Sequence, residues 1–206
     1  MASAIIHLCI AKEVGLKTGY NNKELLIGSI APDVAKIVGR HKNTTHFIAA
    51  KDDVPNIELF LSKYKNNLNS AFELGYFIHL YTDKLWYKYF VERIVCNNSI
   101  KLKDGTILSV TNEFLAYIIY NDYTNINIDL IDMYQLNLSL FYNEINNVET
   151  VIKEYPAQDT QKLIDKMGII IANSKANPTY SLDLSEIESF IDFAVEKIIK
   201  KLDTIL

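Results

Sequence analysis

Two side chains in the stretch GYFIHLYTDKLW, residues 75 to 86, do not suit their apolar and aromatic surroundings: His79 and Asp83. Residues four apart share one face of a helix, a single turn from each other. Both side chains therefore enter the same buried space, where they either satisfy each other or hold something. An unpaired buried carboxylate costs several kcal/mol, and a helical core offers few compensating charges. A divalent metal removes that cost, because neutral imidazole nitrogens and carboxylate oxygens are ligands that zinc takes. Catalytic zinc sites often combine such a helical pair with ligands from elsewhere in the chain. Gly75, one turn before His79, would let another segment approach the same face. Phe72, Tyr76, Thr82 and Trp86 flank that face and read as core or as the wall of a pocket.

The remaining histidines are His7, His41 and His46. His7 lies mid-helix in SAIIHLCIAK, where a single histidine is ordinarily a hydrogen-bonded core residue. Asp33 follows Pro32 in IGSIAPDV, a place where a carboxylate usually caps the next helix. His46 in NTTHF and His41 in GRHKNTTHF are loop histidines. Arg40 and Lys42 beside His41 suit either a phosphate contact or an exposed loop. Each residue alone has a plain structural explanation, but a buried Asp83 makes the set more informative than its members.

The ordered series His7, APDV with Asp33, THF with His46, then GYFIHLYTDKLW with His79 and Asp83 resembles the zinc-dependent phospholipase C family. The wider group with similar metal sites includes single-strand-specific zinc nucleases. The resemblance covers roughly residues 1 to 90. It implies an all-α fold in which Asp33, His46, His79 and Asp83 enclose one zinc. Asp83 would bridge to a second zinc that His7 also binds, and Asp33 would be a candidate general base. The implied activity is hydrolysis of a phosphoric ester, with metal-bound water attacking phosphorus. One or two zinc ions are expected, with iron or manganese as other divalent choices. The chain departs from the family in having no histidine after His79 to complete a third metal. Asp122 or Glu73 could replace a missing ligand, as could a terminal amine, with surface or capping roles as the plainer explanation for the two carboxylates. Two other functions stay open: a phosphohydrolase acting on nucleotides or small phosphomonoesters, and a non-catalytic helical protein with a structural metal.

Helical periodicity has to position these residues. Helices are expected over about 4–17, from Ser3 to Gly19, and 22–30, closed by Pro32. A short helix and loop should follow, then a helix from Pro55 to about Asn66. The longest element should run from about Asn69 to Cys96, apolar around most of its circumference and therefore central. Asp104-Gly105 suggests a small hairpin or tight loop near 99–109. Further helices are expected near 111–121, 127–147, 159–173 and 185–204, the last begun by a SEIE box at Ser185 to Glu188. The fold class expected is all-α, one domain over residues 1–206.

Of 206 residues, 49% are hydrophobic, enough for a sizeable core, and the net charge of −4 gives no basic stripe for nucleic acid. Cys9 and Cys96 sit in apolar helical patterns and read as buried reduced thiols, with a disulfide between them left open. The N-terminus lacks a basic secretory leader, and no apolar run is long enough for a membrane span, so a cytoplasmic chain is expected. A phosphate-ester substrate, including a phospholipid, is the partner implied; the oligomeric state is not legible.

Overall fold

The computed structural model describes residues 1–20, 22–49, 54–96, 98–142, 144 and 148–206. It is mainly helical, with one small antiparallel sheet. Helix α1 (Ala4–Thr18) starts at Ser3, whose hydroxyl accepts the Ile6 N–H, and stops at Gly19. Gly19 has φ 82°, the left-handed geometry that ends a helix and that glycine adopts without strain. Helix α2 (Lys23–Ile30) is capped by Asn22, which accepts the Leu25 N–H. Pro32 ends α2 but does not turn the chain away. Ala31–Asp33 continue as one 3-10 turn into α3 (Val34–Ile37), with proline at its start, where a missing N–H is harmless. Two short helices follow, α4 (Lys42–Thr45) and α5 (Ile57–Tyr64), the latter capped by Asn56.

Helix α6 (Ala71–Trp86) is the axis of the molecule, with nearly every residue from Phe72 to Trp86 buried. Helices α1, α2, α5 and α10 (Leu184–Ile205, introduced below in chain order) pack around it. The expected helix to Cys96 ends sooner: Tyr87–Val91 form a wider π-helical turn and α7 (Glu92–Ile94) adds three residues. The chain then enters strand β1 (Val95–Cys96), since β-branched Ile94 and Val95 suit extended backbone. Strand β1 pairs with β2 (Ser99–Lys101), which pairs with β3 (Ile107–Ser109), both antiparallel. The expected hairpin is thus β2–β3, turning through Gly105 at φ 88°, and β1 is an addition to it.

Helix α8 (Asn112–Met133) replaces the two helices expected at 111–121 and 127–147. The polar run NDYTNIN looks like an interruption, yet Asp122, Asn125 and Asn127 are buried in mid-helix, the first two bonded to backbone of residues 178–182 and Asn127 to the Ser174 hydroxyl. Past Met133 the chain leaves the helix and forms a 3-10 turn at Leu138–Tyr142; residues 143 and 145–147 of the expected helix lie outside the described residues. Helix α9 (Thr160–Ala172) and α10 (Leu184–Ile205) complete the fold. The cap of α10 is Asp183, which accepts the Ser185 N–H, so the SEIE box lies inside the helix rather than at its boundary. Ile187, Phe190, Ile191, Ala194, Ile198 and Leu202 give α10 one buried stripe at helical spacing.

Cys9 is buried in α1, as expected, but Cys96 is exposed in β1; both thiols are free. No helix among the described residues is long and apolar enough to cross a membrane.

The closest approach in the core is between α2 and α6, where Gly28 faces Gly75. A β-carbon on Gly75 would run into the Leu25 carbonyl oxygen and stand 2.8 Å from the Ser29 nitrogen. A β-carbon on Gly28 would run into the Phe72 carbonyl oxygen. The two glycines let the backbones touch, and that contact brings the Ser29 carbonyl to His79.

Candidate metal centre

His7, Asp33, His46, His79 and Asp83 converge on one buried locus. Four elements deliver them. Helix α6 presents His79 and Asp83 one turn apart, with 3.5 Å between His79 Nε2 and Asp83 Oδ2. Helix α1 supplies His7, whose Nε2 is 3.3 Å from Asp83 Oδ1. The 3-10 turn after α2 supplies Asp33, which makes no side-chain cap to α3 and instead holds Oδ1 3.6 Å from His46 Nε2. His46 closes α4, 3.7 Å from Asp83 Oδ2 and 3.3 Å, nitrogen to nitrogen, from His79 Nε2.

The orientation of each imidazole is set from behind. His79 Nδ1 donates to the Ser29 carbonyl at 2.8 Å, and His46 Nδ1 lies 3.2 Å from the Lys42 carbonyl and 3.1 Å from Thr45 Oγ1. A carbonyl only accepts, so Nδ1 carries the proton in both rings and the Nε2 lone pairs point inward. Second-layer carbonyls of this kind are what fix metal-binding histidines. Thr45 Oγ1 donates to the Pro32 carbonyl at 2.8 Å, tying the His46 loop to the Asp33 turn. Tyr76 donates to the Thr45 carbonyl at 2.5 Å, so this aromatic is a support buried in the core and not a pocket wall. The chain passes His46 through Phe47 at φ 54°, a left-handed conformation uncommon for a bulky residue, secured by ring contacts with Phe60, Tyr64 and Tyr76.

Hydrogen bonding within the protein leaves the cluster incomplete. His7 Nδ1 and Nε2, Asp33 Oδ1 and Asp83 Oδ2 are buried without a hydrogen-bond partner; His7 Nε2 is near Asp83 but not aligned to bond it. The two inward lone pairs of His46 and His79 face each other at 3.3 Å, which is favourable only with a proton or a cation between them. Four ligands about 2.0–2.2 Å from a tetrahedral zinc stand roughly 3.3–3.6 Å from one another. Four of the six separations among Asp33, His46, His79 and Asp83, at 3.3, 3.5, 3.6 and 3.7 Å, are of that size, while Asp33 and His79 stand farther apart. Asp83 divides its oxygens: Oδ2 faces His46 and His79, while Oδ1 faces His7 and accepts the Ala2 N–H at 3.0 Å. One carboxylate thus touches two donor groups, as a bridging ligand would.

Ionisation follows the same geometry. Burial, and next the charge of His79, push the His7 pKa down to about 4. The two rings stack with centroids 3.8 Å apart, so both cannot hold a proton cheaply. Burial also lowers His46, against the opposing pull of Asp33. For His79 burial acts downward, but Asp83 outweighs it and the net direction is up. Asp33 and Asp83 resist the upward push of burial and stay far below the usual carboxylate range, held by His46 and His7 respectively and by the other charges around them. The cluster therefore carries two carboxylates with only His79 drawn toward a second proton, on Nε2, and a divalent cation in that place is the natural counter-charge.

No protein-family model, curated protein or solved structure matches this chain. The donor geometry is therefore the basis for a functional reading.

The other sequence candidates lie elsewhere. Asp122 accepts the N–H groups of Tyr180, Ser181 and Leu182 and the Ser181 hydroxyl, at 2.7 to 3.0 Å. It pins the segment before α10 and is not a metal donor. Asp122→Ala should destabilise the protein by about 3 kcal/mol by stranding those donors, with metal content unchanged; urea unfolding and elemental analysis together check both halves. Glu73 is engaged with another segment, where Oε1 accepts from Thr150 Oγ1 at 2.7 Å and the Val151 N–H at 3.0 Å. His41 is exposed and away from the cluster. Sequence reasoning missed Lys36, whose Nζ is 3.3 Å from Asp33 Oδ1. Its position three residues after Asp33 was the available signal.

Proposed function

We propose that the chain is a metal-dependent phosphoric-ester hydrolase of the phospholipase C-like class, with zinc as the metal and iron or manganese as the alternatives to be tested. The observation that carries this reading is the convergence of three imidazoles and two carboxylates with their inward lone pairs unanswered. A bound divalent ion supplies an acidified water and stabilises negative charge growing on phosphoryl oxygens. The chain's own residues do the rest. Ser29 and Lys42 hold His79 and His46 in the tautomer that leaves Nε2 free. The burial of His7, His46, His79 and Asp83 excludes competing water from the donor side. Asp33 alone opens outward, its side chain 13% exposed, so its carboxylate is the group able to take a proton from an attacking water.

The donor set Asp33, His46, His79 and Asp83 suffices for one ion. Among the described residues the second position has His7 and Asp83, with His79 shared with the first, so a second ion should bind more weakly. A panel of bis-aryl phosphodiesters, aryl phosphomonoesters and nucleotides, assayed with added zinc and with chelator, tests the proposal. Hydrolysis that disappears with chelator and in His79→Ala supports it; hydrolysis unaffected by both would sink it. A second reading, a structural metal, is favoured by the four protein donors, since structural sites are closed while catalytic ones keep an open position. The exposure of Asp33 argues against closure. Ligand-field spectra of cobalt-substituted protein distinguish the two: shifts on adding inorganic phosphate mean an open position, and an unresponsive four-coordinate spectrum means a structural site.

A further inference from the structure

A cavity of about 310 Å³ opens beside Asp33. The Asp33 turn and Lys36 form one side, and Tyr120 and Tyr123 of α8 with Lys166 and Met167 of α9 form another. Asp33 is the one metal-donor candidate that lines it, so the cavity is the route by which a small molecule meets the cluster. Its volume is at the lower end of the ~300–1,000 Å³ typical of small-molecule pockets. It accommodates the head of an ester.

The charges on its wall are unequal. Among the side chains of the described lining residues Lys36 and Lys166 are the cations and Asp33 is the sole carboxylate. Lys36 is committed to Asp33 at 3.3 Å, while Lys166 is exposed at the rim. One divalent ion neutralises the charges of Asp33 and Asp83 and relieves Lys36 of its only ion-pair role among the described residues. Neither ammonium group then has an ion-pair partner among the described residues, and both are accessible to an anion entering the cavity. No lining carboxylate remains to receive a cationic head.

We propose that this cavity binds the non-scissile part of a small phosphate ester that carries a further negative charge, and that Lys36 and Lys166 select it over esters with a quaternary ammonium head. The inference rests on the metal reading above, because metal binding at Asp33 is what frees Lys36. It narrows that reading to anionic esters of headgroup size, a class to which small bisphosphates and phosphorylated carboxylic acids belong.

The test compares three phosphomonoesters of two-carbon alcohols, phosphoglycolate, ethyl phosphate and phosphocholine, by isothermal titration against zinc-loaded protein. Phosphoglycolate should bind about tenfold more tightly than phosphocholine, the order expected of one charge-assisted hydrogen bond, with ethyl phosphate between. Lys36→Met and Lys166→Met should each shrink that ratio severalfold while zinc content, read by elemental analysis, is retained. Should Lys36→Met fail to load zinc, Lys166→Met carries the comparison alone. Zinc-loaded wild type with equal affinities or a preference for phosphocholine overturns this inference and leaves the metal reading standing. A preference that survives both substitutions likewise overturns it. Protein that takes up no zinc overturns the metal reading, and this inference with it.

Discussion

Asp83→Asn is expected to give a folded protein whose proposed phosphoesterase activity is lower by about 10²–10³-fold, a loss typical of removing a principal electrostatic group from an active site. The size of the effect follows from the residue's position. Asp83 Oδ1 lies 3.3 Å from His7, and Oδ2 lies 3.5 and 3.7 Å from His79 and His46, so one carboxylate is shared by all three imidazoles. Asparagine preserves the shape and the acceptor for the Ala2 N–H but removes the charge and places an amide against histidine nitrogens. Both proposed metal positions would lose a ligand at once. Added zinc should not restore activity, which separates loss of a ligand from simple loss of metal during purification. Circular dichroism guards the interpretation: near-wild-type helicity with activity within tenfold of wild type would contradict the role given to Asp83.

The second large effect is on stability. Gly75→Ala should lower unfolding free energy by about 3 kcal/mol, the upper range for overpacking a close contact. The added methyl group collides with backbone atoms of Leu25 and Ser29, which cannot rotate aside as a flexible side chain could. The helices must separate, and separation withdraws the Ser29 carbonyl from His79 Nδ1, now 2.8 Å away. Zinc affinity should therefore fall together with the urea midpoint. Gly105→Ala, at a turn with φ 88° and open space around it, provides a control: it strains a surface turn yet should leave zinc affinity unchanged. An unchanged urea midpoint for Gly75→Ala would mean the helix crossing is looser than the packing indicates.

Much of this arrangement can be read from the sequence. His79 and Asp83 stand out because burial makes their polarity costly, and Gly75 because it weakens a helix unless something must come close. The all-α class and the small hairpin follow from periodicity and from Asp104-Gly105, and the structure contains both. Asp33 and His46 were identified through a resemblance of ordered motifs rather than from local pattern, since each alone has an ordinary explanation. What local pattern concealed was long-range satisfaction. The break expected around Asp122 to Asn127 is continuous helix because those polar groups bind residues 174–182, a fact no window of neighbouring residues contains. Lys36 could be paired with Asp33 from its i,i+3 spacing, but Lys166 was hidden, because only the packing of α9 against the Asp33 turn brings it to the same cavity.

The most direct test of the central claim is the metal content of wild-type protein purified without chelators, measured by elemental analysis beside Asp83→Asn. The account predicts between one and two equivalents of a divalent transition metal per wild-type chain, the first tightly held and the second removed by dialysis, with little in the variant. A folded wild-type chain that holds no metal and takes up none from added zinc would contradict it, leaving His7, Asp33, His46, His79 and Asp83 as a buried proton-sharing network and nothing more.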